Sequence, residues 1–252
     1  MAGTRLISFA LIGLVMTAAV TQAGPTSRIL GGNDAETAQF PHSVSIRVDD
    51  AHVCGGSIIS ENYVITAGHC VSEVAATSVA PSRVSVRVGS INQFAGGQIV
   101  SCKSVVIHPS YGNFLHDVAI VALAEPLEFN EKVNKVALAS PEDVYEEGTP
   151  VTVTGWGLME TGSSPYKLQH ATLSVLSAPE CELQAGYGYD SVLCLQHPDN
   201  VGICRGDYGT GVVSGGKLIG VGSFSFGTCG TKYPDVSTKV SFYNDWINSV
   251  IA

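Results

Sequence analysis

The chain has 252 residues, 45% hydrophobic and 14% charged, with 28 glycines and a formal net charge of -9. That length holds one or two domains and a large core, and the apolar content without polar low-complexity runs excludes a disordered chain. The acidity argues against nucleic acid or anionic membrane as the main partner, since both reward Lys and Arg clusters, and reads as solubility charge.

In chain order, Arg5 precedes an apolar run from Leu6 to Val20, and Thr21-Gln22-Ala23 offers small residues for cleavage. This pattern predicts a signal peptide over residues 1–23, with a retained anchor as the alternative. The run is short for a bilayer span, and no later segment carries about 18 uninterrupted apolar residues. Residues 24–28 read as a short activation peptide, because Arg28 precedes Ile29-Leu30-Gly31-Gly32. Short β-branched runs then predict strands at Ser43–Val48, Gly56–Ile59, Val64–Thr66, Val84–Val88, Ile99–Ile107 and Val118–Leu123. The second half continues with Pro150–Thr154, Ala171–Leu176, Gly211–Val213, Lys217–Phe224 and Asp235–Thr238. Such a series predicts an all-β protein of antiparallel barrels or a sandwich. Only the end shows helical spacing: from Ser241, residues Phe242, Trp246 and Val250, with Ile247 and Ile251, form one apolar face. No repeat is visible. A polar stretch at Ser140-Pro141-Glu142-Asp143 divides the halves, at about 29–140 and 141–252.

Seven cysteines are present: Cys54, Cys70, Cys102, Cys181, Cys194, Cys204 and Cys229. In an exported chain they are disulfide candidates, and the odd number leaves one over. Zinc is a poor alternative, because no Cys-x-x-Cys occurs. No Asn-x-Ser/Thr acceptor occurs either, so N-glycosylation is not expected.

Three segments carry the chemistry: Thr66-Ala67-Gly68-His69-Cys70, Asp117-Val118-Ala119-Ile120-Val121 and Gly206-Asp207-Tyr208-Gly209-Thr210-Gly211. With Cys54-Gly55-Gly56-Ser57, Gly155-Trp156-Gly157, Ser223-Phe224-Ser225 and Pro234-Asp235-Val236, they resemble the chymotrypsin/trypsin-like serine protease family. The resemblance runs from Ile29 to Ala252. Pro165-Tyr166-Lys167-Leu168-Gln169 and Phe224-Ser225-Phe226-Gly227 look most like insect chymotrypsin-type proteins. The implied fold is two antiparallel six-stranded β-barrels with a C-terminal α-helix.

In that family a Ser attacks the substrate carbonyl, a His takes its proton, and a buried Asp holds the His tautomer. His69 and Asp117 match the last two, while Tyr208 stands where the family has its Ser. A tyrosine is a poor substitute. Its oxygen sits at the end of a rigid ring, an ordinary phenol stays protonated at neutral pH, and misplacement of about 1 Å costs roughly a hundredfold. By resemblance, the oxyanion hole uses the N–H groups of Gly206 and Tyr208. Thr210 and Gly211 replace a Gly-Pro pair and are expected to alter that turn. Cleavage after Arg28 would free the Ile29 amine to pair with Asp207.

The implied specificity pocket contains Gly202 at its base, with Ser223, Ser225 and Asp235. Asp235 could bind a basic side chain or join an internal hydrogen-bond network. The implied disulfides are Cys54–Cys70, Cys181–Cys194 and Cys204–Cys229. Cys102 is left as a buried free thiol, or as a link to another chain. The family's calcium loop has no acidic ligand here between Gly89 and Gln98, and neither metal nor cofactor is expected. The resulting expectation is a secreted, extracellular, monomeric homologue without catalysis, acting on a secreted protein partner as decoy, cascade cofactor or inhibitor. The alternatives are a serine-type endopeptidase with weak or unconventional activity, acting on a protein substrate, and a storage or structural secretory protein.

Overall fold

The computed structural model describes Met1 and residues 31–73, 77–159 and 162–252. The expected signal peptide beyond Met1, the activation peptide with Arg28, and Ile29 lie outside the described residues.

A two-residue strand, β1 (Asn33–Asp34), precedes the first barrel. The barrel consists of β2 (Ser43–Val48), β3 (Ala51–Ile58), β4 (Tyr63–Thr66), β5 (Val84–Val88), β6 (Gln98–Ile107) and β7 (Ala119–Leu123). It closes in the order β2-β3-β4-β7-β6-β5. After β8 (Ala137–Leu138) come β9 (Pro150–Gly155), β10 (Gln169–Leu176), β11 (Val192–Gln196), β12 (Gly211–Ser214), β13 (Lys217–Phe224) and β14 (Asp235–Lys239). These form the order β10-β11-β14-β13-β12-β9, and pairing of β9 with β10 closes a second six-stranded barrel. The two barrels share one winding pattern. The repeat that the sequence hides is a repeat of topology.

Alternation builds the interiors. Val84, Val86 and Val88 bury every second side chain of β5, and Val151 and Val153 do the same in β9. The β2–β3 hairpin turns on Asp49 and Asp50, with φ of 49° and 62°. Tight hairpins need such left-handed residues, and Asp tolerates them better than most side chains. Arg83 fastens this turn, its Nε donating to Asp49 Oδ1 at 2.8 Å. The sequence reading started β3 five residues late because it missed this turn.

The division near residue 140 is crossed twice. β1 pairs with β10 of the second barrel, placing Asn33 opposite His170. At the other end, a 3-10 turn (Val240–Tyr243) leads into a C-terminal helix (Asn244–Ile251). Val240, Tyr243 and Ile247 join the core of the first barrel. A second helix was not expected: α1 (Ala178–Ala185) begins after Ser177, carries Pro179 in its first turn and ends at Gly186 with φ 73°. Only Cys181 of α1 is buried, so it has no apolar stripe to read. Its sequence signal was punctuation: Ser177 with Glu180 three residues on, and the closing Gly186. We number it α1 and the C-terminal helix α2.

The three disulfides join Cys54 to Cys70, Cys181 to Cys194 and Cys204 to Cys229. Cys102 is a free, buried thiol, and burial pushes it up to about 11. Among the described residues no helix is long and apolar enough to cross a membrane.

Docking of α2 rests on Ile247, which is 0% exposed, whereas Phe242 is 52% exposed. Ile247→Ala should cost about 2–5 kcal/mol and lower the melting temperature by on the order of 10 °C. Phe242→Ala serves as the control and should shift it little. Equal melting temperatures for the two variants would show that α2 does not anchor on the first barrel.

Candidate active site

β4 ends at Thr66, and the chain folds at once into a 3-10 turn (Gly68–Val71) that presents His69. The Cys54–Cys70 bridge ties this turn to β3. Thr66 adds a second tie, donating its hydroxyl to the Gly55 carbonyl at 2.8 Å. Asp117 lies just before β7 and is 0% exposed. Its carboxylate accepts the His69 backbone N–H on Oδ1 at 2.8 Å and faces His69 Nδ1 with Oδ2 at 2.8 Å. The Ser223 hydroxyl also donates to Oδ2. An Nδ1 facing an ionised carboxylate carries a proton, so the neutral ring holds its lone pair on Nε2. Among the described residues, the hydrogen-bonding-range contact of Nε2 is the Cys70 sulfur, at 3.7 Å. Ligating atoms of Cys54, His69 and Cys70 lie within 4.8 Å of one another, but the two sulfurs are bonded to each other and offer no thiolate to a metal.

Tyr208 projects from the turn that precedes β12. The main chain of this turn is closed by Asp207 N–H to Cys204 C=O at 2.8 Å and Thr210 N–H to Asp207 C=O at 3.0 Å. Gly55 N–H donates to the Tyr208 carbonyl at 2.8 Å, and Gly209 N–H to Gly222 C=O at 2.7 Å. The half-buried Tyr208 ring touches the cores of both barrels. It meets the His69 ring edge-on, with centroids 5.5 Å apart. Its hydroxyl lies 3.2 Å from Ser225 Oγ. Phe114 covers His69 from another side at 5.6 Å.

Thr210 and Gly211, expected to alter this turn, each fill a defined place in it. Thr210 donates its hydroxyl to the Thr154 carbonyl and lies 3.4 Å from the Thr154 hydroxyl, which meets Ser43 Oγ at 2.8 Å. This buried chain of hydroxyls crosses from one barrel to the other. At Gly211, a Cβ would come within 2.3 Å of Ser57 Oγ and 2.6 Å of Leu218 Cδ1. A proline there would collide with both.

Asp207 is 1% exposed, and its oxygens accept Gly157 N–H at 2.6 Å and Cys204 N–H at 3.0 Å. Those bonds favour the charged form, but burial outweighs them and pushes the carboxyl up to about 7. A Cβ on Gly155 would sit 1.9 Å from Asp207 Oδ1, and one on Gly157 2.3 Å from Oδ2. The Gly-Trp-Gly segment is thus the seat of this carboxyl. Asp235, also 1% exposed, accepts Ile203 N–H at 2.7 Å. Burial pushes it up to about 8, with the nearby Asp207 adding to the shift. Asp235 Oδ2 also lies 3.7 Å from His197 Nε2, and Asp235 Oδ1 has no hydrogen-bond partner among the described residues. Gly202, Ser223 and Asp235 are buried and line no part of the cleft described next.

The cleft encloses about 880 Å³. His69, Tyr208, Phe114 and Arg205 line it, with Val53, Leu158 and Met159 as apolar wall. The sequence reading missed His52. Its Nε2 lies 3.0 Å from the Gly206 carbonyl and its Nδ1 2.8 Å from Ser45 Oγ. A carbonyl only accepts, so Nε2 carries the proton and Nδ1 accepts from Ser45. Burial pushes this imidazole down to about 4, and it holds the Gly206 peptide in place while uncharged.

Residues 29–247 match the family model described as Trypsin. Trypsin iota of Drosophila melanogaster is 36% identical over 229 residues, which are 88% of this chain and 88% of that protein. Trypsin epsilon of Drosophila erecta is 35% identical over 228 residues, 87% of this chain and 86% of that protein. Trypsin alpha of Drosophila melanogaster is 32% identical over 231 residues, 88% and 87% of the two chains.

Four groups dominate the pH dependence of stability between about pH 4 and 8. Asp207 and Asp235 are raised on folding, so the stability they contribute at acid pH is lost as pH rises from about 4 through about 7 and 8. His42 and His52 are lowered to about 4, so they act in the opposite sense between pH 4 and about 6.5. Above pH 6.5 only the carboxyls remain. The melting temperature of the uncleaved protein should therefore fall between pH 6.5 and 8.5, and Asp207→Asn should flatten that slope, whatever it does to absolute stability. An unchanged slope would show that Asp207 is already ionised in the native state.

Proposed function

The chain belongs to the trypsin-like serine protease family, and we propose that it is a secreted, non-catalytic member that works by binding a protein partner. One observation carries this reading. At the turn where the family places its nucleophile, the side chain is Tyr208, and its hydroxyl is directed to Ser225 at 3.2 Å. Proton abstraction needs an oxygen within about 2.6–3.2 Å of the imidazole nitrogen. Among the described residues, His69 Nε2 has a sulfur and no oxygen within hydrogen-bonding range. The Tyr208 ring also fills space against His69 that a scissile carbonyl would need. Secretion is supported by three disulfides, which persist in oxidising compartments. Cleavage after Arg28 would give the buried Asp207 an ammonium partner.

A second reading, weak hydrolysis, rests on the intact His69–Asp117 pair at 2.8 Å. A fluorophosphonate probe separates the two. The protein, cleaved after Arg28, should remain unlabelled. Stoichiometric labelling, or peptide-ester turnover that His69→Ala abolishes, would sink the non-catalytic reading.

Restoration of the serine gives a graded test. Tyr208→Ser should gain on the order of 10²–10⁴-fold in ester turnover, the usual contribution of general-base assistance. Adding Gly211→Pro should reduce that gain, because Ser57 and Leu218 occupy the space a proline ring needs. If Tyr208→Ser folds and stays inert, His69 and Asp117 are not in register with residue 208.

A further inference from the structure

We propose that a second cavity, between α1 and the link that joins the two barrels, binds a medium-chain aliphatic carboxylate, with its tail enclosed and its head on Lys239. This cavity shares no lining residue with the cleft, so the inference does not depend on whether the protein hydrolyses peptides.

Two elements of the fold make the space. The link supplies one wall through Val144 and Tyr145, and α1 supplies another through Ala178 and Cys181. A helix as short as α1 draws most of its stability from packing, yet α1 buries only Cys181. Pro179, Gly186 and the Cys181–Cys194 bridge hold it, and the space beside it is a cavity rather than filled core. Protein interiors otherwise pack to crystal density, so an enclosed space of about 260 Å³ is unusual. The remaining walls are aliphatic: Val175, Leu176, Leu193 and Ile219, all buried. A cavity of about 150 Å³ takes benzene, so about 260 Å³ holds roughly ten non-hydrogen atoms.

Charge chooses the head group. Asp143 and Lys239 both line the cavity. Asp143 is taken: both its oxygens accept from Lys217 at 2.7 Å, and Oδ2 also accepts the Ser140 N–H at 2.8 Å. Lys239 is not. It is half-buried, and its own N–H is fixed to the Ser191 carbonyl at 2.9 Å. Its ammonium has no hydrogen-bond or ion-pair partner among the described residues. The hydroxyls of Tyr145 and Ser177 are also without a partner there, and Ser177 does not cap α1 with its side chain. Aliphatic walls, one uncompensated ammonium and two unused hydroxyl donors together suit an amphiphilic anion. A phosphate or sulfate would leave the walls without contacts, and an alkane would leave the ammonium unpaired. A straight-chain carboxylate of about eight carbons satisfies both and matches the volume. Its tail would give α1 the apolar contact that the helix lacks.

The test is isothermal titration calorimetry of the full chain with sodium octanoate, kept below its micelle concentration. Octanoate should bind at a single site. Butanoate, with a much shorter tail, should bind on the order of a hundredfold more weakly. 1-Octanol keeps the tail and loses the charge, and should bind about tenfold more weakly. Lys239→Gln should lower octanoate affinity about tenfold and leave 1-octanol within about threefold of wild type. Lys232→Gln, at a lysine that lies over the Tyr233 ring, should change neither. Amide hydrogen exchange places the ligand: octanoate should slow exchange across Ala178–Ala185 and leave the turn that carries His69 unchanged. No octanoate binding, butanoate or 1-octanol binding as tightly as octanoate, an unchanged octanoate affinity in Lys239→Gln, or protection at the His69 turn instead of α1 would each overturn the inference. If Lys239→Gln fails to fold, the octanoate–octanol comparison and the exchange pattern of the wild-type protein decide the same question.

Discussion

A carboxylate with no solvent exposure, held between two barrels, is the constraint from which the site follows. Asp117 comes from the first barrel, as does His69, which gives it a backbone N–H and a ring nitrogen. Ser223 and Thr238 come from the second barrel, one bonding the carboxylate and the other the Asp117 carbonyl at 2.8 Å. A buried charge is tolerated only when it is fully bonded, and removing one partner of such a set typically costs about 3–5 kcal/mol. The barrels are therefore registered on the same atoms that orient the imidazole. Persistence of the His69–Asp117 pair needs no catalytic explanation. It is structural first, and a chain that stopped hydrolysing peptides would still have to keep it.

The same distinction explains why residue 208 can be a tyrosine. The bonds that close its turn run through main-chain atoms: Gly55 to Tyr208, Gly209 to Gly222, Thr210 to Asp207. No bond of the turn depends on the 208 side chain, so the fold survives its replacement. Each departure from the family pattern then has a partner. Tyr208 and Ser225 face each other at 3.2 Å. Gly211 leaves room for Ser57 and Leu218, while Thr210 uses its hydroxyl to reach Thr154. Each departure fits its neighbour, which is the mark of a site repacked as a unit rather than damaged at one point.

The strands were legible because their pattern is local. Ser43–Val48, Val84–Val88 and Lys217–Phe224 begin and end where the sequence places them. β11 was missed: Val192–Gln196 is short, its ends are polar, and Cys194 reads as a bridge rather than a strand residue. α1 was missed because a helix with one buried residue has no periodicity. β1 could not be read at all, since two residues carry no pattern and its partner β10 lies more than a hundred positions away. His69, Asp117 and Tyr208 were legible through motifs. His52 was not. What makes it matter is a neighbour distant in sequence, the Gly206 carbonyl.

Asp207 connects these levels. Burial drives its carboxyl toward the neutral form, while two backbone N–H groups pull toward the charged one. One of those donors is Cys204, next to Arg205, and the other is Gly157, which follows the buried Trp156. Any cation that reached Asp207 would shift this balance and strengthen both bonds, drawing in the segment that leads to Arg205 and Gly206. The same main-chain segment forms the cleft wall, where the N–H groups of Gly206 and Tyr208 have no acceptor among the described residues. Charge on one buried carboxyl and the shape of the binding wall are therefore coupled through a few bonds. That coupling is useful to an enzyme awaiting activation. It serves a protein that only binds equally well, because charge at Asp207 would set how firmly the cleft wall is held.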